Sequence, residues 1–436
     1  MYKRQEIEGY RTDVRTINTS LFATDWYIDQ MKRAAYESAP IPSQLTHDKY
    51  AFGVRDVVYY QQLTDERWDI KKFMDWIAND DNTIRNLIKK RGGDTSQYPE
   101  SYLNLPFYPT NKIRVPVNKK NALATGLVKE KDSAEIVDYI DIDLPKSALP
   151  KNRLLMLDLL ANNDWERPIY FTGGSFDPAE YLWMKDYLQL DGLVYKLVPI
   201  KTPIDKNNPY EMGRIDEDLM YNIVIDWEWG NSESPDIYHD PETRKNSISY
   251  RGNLARLTGK LINTGKEEKA KDVLDLAMEK MPFGYFGYYV FLEPYVEGYY
   301  KVGEKEKARA LYKEVAKKYQ ESLNYYSNLP IDTQYSYASD IVSDIERYRS
   351  LLDIVVANDD KEFGLPETTT FNEYLERFSH FYRRPGNASP TEMPEGEPVI
   401  DGNAIPANMD SAVIENAPVN GKVIPQTEID SIPLNN

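Results

Sequence analysis

The chain has 436 residues, enough for two or three domains, and 41% are hydrophobic against 28% charged, an ordinary balance for a folded globular protein. A formal net charge of −17 repels phosphate, which speaks against nucleic acid as a partner and against adsorption to an anionic membrane surface. With no Cys and only three well-separated His (His47, His239, His380), thiolate chemistry is excluded and no metal site is expected.

In chain order, the first five residues, MYKRQ, read as sequence foreign to the protein, so fold reasoning starts at Glu6. Val14–Leu21 (VRTINTSL) is rich in β-branched residues and predicts a strand, after which Thr24 or Asp25 caps a helix that ends before Pro40. A second β-rich piece spans Val57–Gln61. Apolar spacing predicts helices over Ile70–Ala78 and Thr83–Lys90, and the prolines between Gly92 and Val117 predict loop. Leu154–Asn162 predicts an apolar helix leading to a strand at Pro168–Thr172, turned by Gly173 and Gly174. Asp177-Pro178-x-Glu180 has the shape of a capping box that opens a helix to about Leu190. Asp191-Gly192 closes that helix, and Leu193–Ile200 returns as a strand. The alternation predicts an α/β domain over residues 6–212, an incomplete Rossmann-like layer.

From residue 213 to 384 the pattern is helical. LINTGKEEKAKDVLDLAMEKMP (Leu261–Pro282) and YYKVGEKEKARALYKEVAKKY (Tyr299–Tyr319) align Gly265 with Gly303 and Ala270 with Ala308. This pattern resembles the tetratricopeptide repeat, with one departure: the usually small position of the first helix holds Thr258 and Val296. Further helices are expected at Tyr335–Ala357 and Phe371–Tyr382. Residues 385–436 contain eight Pro, eight acidic residues, one Lys and no aromatic, a composition that predicts a disordered acidic tail.

Several blocks resemble a family of large bacterial membrane proteins. They are EGYRTDVRTINTSLFATDWYIDQMKR (Glu8–Arg33), HDKY, RDVVY, KKFMDWIANDD (Lys71–Asp81), LPKNRLLMLDLLANNDWERPIYF, DYLQLDGLVYKLVPIK (Asp186–Lys201), WEWGN (Trp227–Asn231) and the repeat region Arg251–Pro282. That family carries a domain of unknown function and is grouped with protein O-mannosyltransferase-like, membrane-embedded glycosyltransferases of the GT-C type. The resemblance covers most of residues 6–320 and implies a fragment: an N-terminal multi-helix membrane region, with the catalytic carboxylate in one of its loops, lies outside this chain. No catalytic residue carries over to any position here.

Ligands of open α/β sheets sit at the carboxyl ends of strands, which selects Asn18, Ser20, Asp25 and Trp26, and also Thr172, Gly173 and Gly174. Asp25 beside Trp26 is a common sugar-binding pairing, although Asp25 reads more readily as a helix cap and Trp26 as a core side chain. Gly173-Gly174 reads as a turn before it reads as a phosphate cradle. Trp227 and Trp229 of WEWGN suggest carbohydrate contact, or aromatics that hold two modules together. The acidic pairs Asp80-Asp81, Asp141 with Asp143, and Asp216 with Asp218 lack calcium-loop spacing and read as solvated surface.

The expectation is therefore the extracytoplasmic, periplasmic-face lobe of an inner-membrane glycosyltransferase that moves a lipid-linked sugar, without cofactor. Its partners would be the missing membrane domain of its own chain and a protein or glycan acceptor, with no membrane insertion by this segment. The alternative is a periplasmic helical-repeat scaffold with no transferase role.

Overall fold

The α/β region builds its layers from short elements that each bury one face. The computed structural model describes residues 2–175, 177–204 and 211–381; the expected tail at 385–436 lies outside them. Helices α1 (Tyr2–Glu8), α2 (Asp25–Met31) and α3 (His47–Tyr50) precede strand β1 (Val57–Tyr60). Next come β2 (Trp68–Asp69), α4 (Ile70–Ala78), α5 (Ile84–Lys90), α6 (Glu100–Leu103), β3 (Phe107–Tyr108), β4 (Lys112–Pro116) and α7 (Lys119–Ala124). Strands β5 (Tyr139–Asp143) and β6 (Ala148–Pro150) lead into α8 (Lys151–Asn163), and β7 (Tyr170–Thr172), β8 (Leu188–Asp191) and β9 (Val194–Leu197) complete the region.

The strands gather in three small sheets, ordered β3-β1-β6, β2-β4-β5 and β7-β9-β8. The first two are mixed, with β1 parallel to β3 and antiparallel to β6, and β2 parallel to β4, which runs antiparallel to β5. Their inner faces share one core with α4 and α8, including Val58, Phe73, Met74, Tyr108, Ile113, Ile140, Leu154 and Leu157. Local signals account for α4 and α5: Asp69 caps the first through the Lys71 amide (2.8 Å), and Thr83 caps the second.

The helix expected at Phe371–Tyr382 starts ten residues earlier, as Lys361–Arg377, and three other expected elements differ in kind. No strand forms over Val14–Leu21. The Gln5 side chain donates to the Val14 carbonyl (2.8 Å), the Tyr27 hydroxyl accepts from the Asn18 amide (2.9 Å) and Asn152 donates to the Thr19 carbonyl (3.0 Å), so side chains, and no neighbouring strand, bond that backbone. The loop expected between Gly92 and Val117 contains β3 and β4, because Pro116 falls at the end of β4, where a missing N–H is tolerated. The helix expected to run to Leu190 is replaced by two 3₁₀ turns, Pro178–Tyr181 and Lys185–Tyr187, followed by β8. Leu182 and Trp183 both adopt positive φ (52° and 59°), which stops a right-handed helix. Asp177 caps the first turn at the Ala179 amide (2.9 Å), but Glu180 pairs with Arg153, so no capping box closes. Gly192 then begins a two-residue hairpin loop between β8 and β9, at φ +69°.

The helical region begins with α9 (Glu217–Ile225) and continues with α10 (Pro241–Asn263), α11 (Glu267–Lys280), α12 (Phe283–Phe286), α13 (Glu293–Lys301), α14 (Lys305–Ser327), α15 (Ile331–Ser336), α16 (Ala338–Ala357) and α17 (Lys361–Arg377). Helices α10/α11, α13/α14 and α16/α17 form three helix–turn–helix pairs. Each turn uses a left-handed residue: Gly265 (φ +71°), Gly303 (+78°) and Asp359 (+53°). The larger Thr258 fits because Gly298 of α13 meets Thr258 and Leu274 with no side chain of its own, and Val296 is fully buried in the same core. Among the described residues no helix is long and apolar enough to cross a membrane.

Candidate functional site

A cleft of about 490 Å³ opens where the β8–β9 hairpin meets the helical region. Its aromatic wall comes from the segment after α9 and from the middle of α10. Trp227, Trp229 and Tyr250 form a closed triad, with ring centroids 5.2–5.6 Å apart and interplanar angles of 51–69°. Tyr10, Leu193, His239, Met281 and Phe286 extend the apolar lining, while Asp226, Glu228, Ser232, Thr243, Asn246 and Ser247 supply polar groups.

Local chemistry holds this wall in place. Asp240 caps α10 by accepting from the Glu242 and Thr243 amides (2.9 and 3.1 Å), and Pro241 takes the first helical position. A side chain at Gly192 would come within 2.9 Å of the Trp227 ring, so the bare hairpin turn is what lets that indole close in. Asn253 donates to the Gly192 carbonyl (2.9 Å) and Arg256 to that of Gly213 (2.9 Å), bolting α10 to the α/β region. Behind the cleft, Arg251 is fully buried and donates to the Met281 carbonyl (2.9 Å) and to that of Gly287. Burial with no carboxylate partner pulls its guanidinium down to about 10. Burial likewise raises the Tyr250 hydroxyl, keeping it a neutral donor.

The charge in the cleft is mostly negative. Glu228 is 87% exposed, and Arg4, a lining cation, is shared between Glu8 (3.0 Å) and Glu228 (3.9 Å) and lies over the Tyr10 ring. The Trp229 indole N–H is buried and has no hydrogen-bond partner among the described residues.

Of the residues singled out in the sequence, Trp227 and Trp229 line this cleft. The others lie elsewhere. Asn18 accepts from the Ser20 and Leu21 amides, a local turn. Asp25 opens α2 with Thr24 at the cap position, so Asp25 itself is not the cap. Its carboxylate takes the Trp26 amide (2.7 Å) and the Phe52 amide (3.2 Å). Trp26 is not a core residue: it is 56% exposed, because the helical period turns Tyr27, Ile28 and Met31 inward instead. Thr172 ends β7 and Gly173 and Gly174 follow it, all three exposed, and the turn beyond is a four-residue 3₁₀ turn, too short to present a helix dipole.

At least one carboxylate of each acidic pair is taken up by a cation. Asp80 meets Lys49 and Arg55, Asp141 meets Arg114, Asp143 meets Arg67, and Asp216 meets Lys129, at 2.5–2.8 Å. Hydrogen bonds from Lys266 and Lys269 hold the Asp218 carboxyl well below its usual range. Among the described residues no group of three or more His, Asp or Glu is gathered to hold a metal ion. Sequence reasoning missed Tyr10, Leu193, His239 and Tyr250, which reach the cleft only through tertiary packing; the alternating LQLDGLVYKL was the one signal that could have placed Leu193 on a hairpin.

A family model described as TMEM260-associated domain 2 matches residues 1–219, half of the chain. The chain belongs to that family. The match covers the α/β region and the start of α9, which carries one side of the junction. No curated protein and no solved structure matches the chain.

Proposed function

We propose that this chain is the extracytoplasmic lobe of a membrane glycosyltransferase of the protein O-mannosyltransferase type, and that it binds the acceptor. TMEM260, whose name the family carries, is a protein O-mannosyltransferase, which supports placing the chain beside such an enzyme. The observation that carries the acceptor role is the junction cleft, whose concave aromatic wall with a few convergent polar groups is the usual form of a small-ligand site. The chain's part is to bind and orient, and the sugar transfer itself belongs to the membrane region of the parent polypeptide.

The test assays this chain and its membrane-anchored parent side by side with a lipid-linked sugar donor. The parent turns over and the chain alone does not; in the parent, Trp229→Ala with Tyr250→Ala raises the acceptor KM while leaving donor KM unchanged. Turnover by the chain alone, or an unchanged acceptor KM in the double variant, overturns the reading.

A further inference from the structure

We infer that the junction cleft takes an uncharged pyranose ring, one residue of a neutral glycan carried by the acceptor protein, against the Trp229–Tyr250 face; this rests on reading the cleft as the acceptor site. Three features of the lining lead there. The first is the triad itself. Trp227, Trp229 and Tyr250 are each only partly buried, and their rings stand 5.2–5.6 Å apart, so they present a continuous polarisable wall. Trp227 is wedged against Gly192, which leaves Trp229 and Tyr250 as the faces free for a ligand. The C–H face of a pyranose carries slightly positive hydrogens and matches the negative face of an aromatic ring, the same electrostatics that draw cations there.

The second feature is a neutral polar rim. Asn246 is exposed on α10 one helical turn before Tyr250, and its amide can donate to and accept from sugar hydroxyls. Thr243, exposed one turn earlier, gives its hydroxyl hydrogen to Asp240 (2.6 Å) and keeps an acceptor lone pair.

The third feature is charge. Asp226 and Glu228 flank the two tryptophans and accept hydroxyl hydrogens, while repelling phosphates and uronates. Arg4, one of the five residues read as foreign to the protein, is shared by two glutamates and is not counted toward the site. A volume of about 490 Å³ lies within the range of about 300–1,000 Å³ typical of small-molecule sites. A neutral sugar meets all three features, and an anionic one fails the last.

The experiment uses the whole 436-residue chain and saturation-transfer NMR. Its probes are the methyl glycosides of mannose, glucose, galactose and N-acetylglucosamine, set against glucose 6-phosphate, glucuronic acid and a tetralysine peptide. At least one neutral glycoside gives saturable transfer to its ring C–H protons, and both anionic sugars bind at least about tenfold more weakly, a difference of about 1.4 kcal/mol. Trp229→Ala, which removes the ring, weakens binding several-fold, and Tyr250→Ala abolishes it; thermal unfolding of each variant checks the fold. Glu228→Gln, at an exposed position, narrows the gap between neutral and anionic sugars. Absence of transfer from every neutral glycoside, tighter binding of glucose 6-phosphate or tetralysine, or binding unaffected by both Trp229→Ala and Tyr250→Ala overturns the assignment. If the parent's acceptor KM responds to the cleft variants while no glycoside binds, the carbohydrate assignment falls and the acceptor reading stands. If glycosides bind but that KM does not respond, the acceptor reading falls instead.

Discussion

Gly298→Ala sets two effects of known sign against each other. In a helix interior alanine is favoured over glycine by about 1 kcal/mol, so on propensity alone the substitution stabilises α13. The packing opposes it. A Cβ at Gly298 would lie 3.0 and 3.3 Å from the two Leu274 methyls and 3.4 Å from the Thr258 methyl. Leu274 and Thr258 are both buried, with Val273, Ala277 and Leu261 in the same core, so neither side chain has room to swing away. Overfilling such a core costs about 1–3 kcal/mol, which leaves a net loss on the order of 1 kcal/mol. Equilibrium urea unfolding, followed by helix signal, reads this as a lower midpoint with unchanged slope. Leu274→Val shortens the obstructing side chain. Alone it destabilises, but combined with Gly298→Ala it should recover most of the packing penalty, a positive coupling of about 1 kcal/mol in a double-mutant cycle. A more stable Gly298→Ala protein, or two strictly additive changes, would show that α13 does not approach α10 and α11 as closely as described.

Two neighbouring aspartates should behave oppositely. Asp360 is 2% exposed and receives Arg309 through both carboxylate oxygens (2.7 and 2.8 Å), Lys305 (2.9 Å) and the Tyr300 hydroxyl (2.9 Å), whereas Asp359 makes one exposed ion pair. Asp360→Asn should lower the thermal midpoint clearly and Asp359→Asn hardly at all. The Arg309 hydrogen bonds hold the Asp360 carboxyl below its ordinary value, so its contribution is complete above the unfolded value near about 3.9 and is lost as pH falls from there toward the native one; acid titration of Asp360→Asn should be flatter than wild type across that range. Gly192→Ala places a side chain at φ +69° and 2.9 Å from the Trp227 ring. It should destabilise the hairpin by about 1–3 kcal/mol and change the near-ultraviolet tryptophan signal, and an unchanged spectrum would contradict the described turn.

How much of this was legible depends on whether the signal is local. Asp69 and Thr83 announce α4 and α5 by capping chemistry, and Gly265 and Gly303 announce two helix turns because a left-handed residue is needed there. The third pair hid because its turn is made by Asp359, and aspartate is no punctuation mark in a charged stretch. Position 364, five after that turn, holds Gly where the earlier pairs hold Ala270 and Ala308, so a search anchored on alanine passes over it. The 178–190 error has the same origin. Leu182 and Trp183 take positive φ because tertiary packing buries Leu182 and the neighbouring Met184, and no composition rule anticipates that. The cleft was half visible. WEWGN stands out as aromatic and acidic, but Tyr250 looks like any tyrosine on a helix until the hairpin is seated against it.

The position of the cleft follows from that seating. Its walls come from both regions: Leu193 from the hairpin, Tyr10 from the N-terminal segment, and Thr243 to Tyr250 from α10. The bonds from Asn253 to Gly192 and from Arg256 to Gly213 fix the distance between those walls, and the missing side chain at Gly192 fixes how far Trp227 can enter. A ligand in the cleft therefore touches groups that only the docked arrangement brings together, and its binding free energy adds to the docking of the hairpin on α10. On the proposed reading of the cleft as an acceptor site, an acceptor held at this junction would stiffen the chain around it as it bound. Positioning an acceptor for transfer requires that rigidity, and neither the α/β region nor the helix pairs could supply it alone.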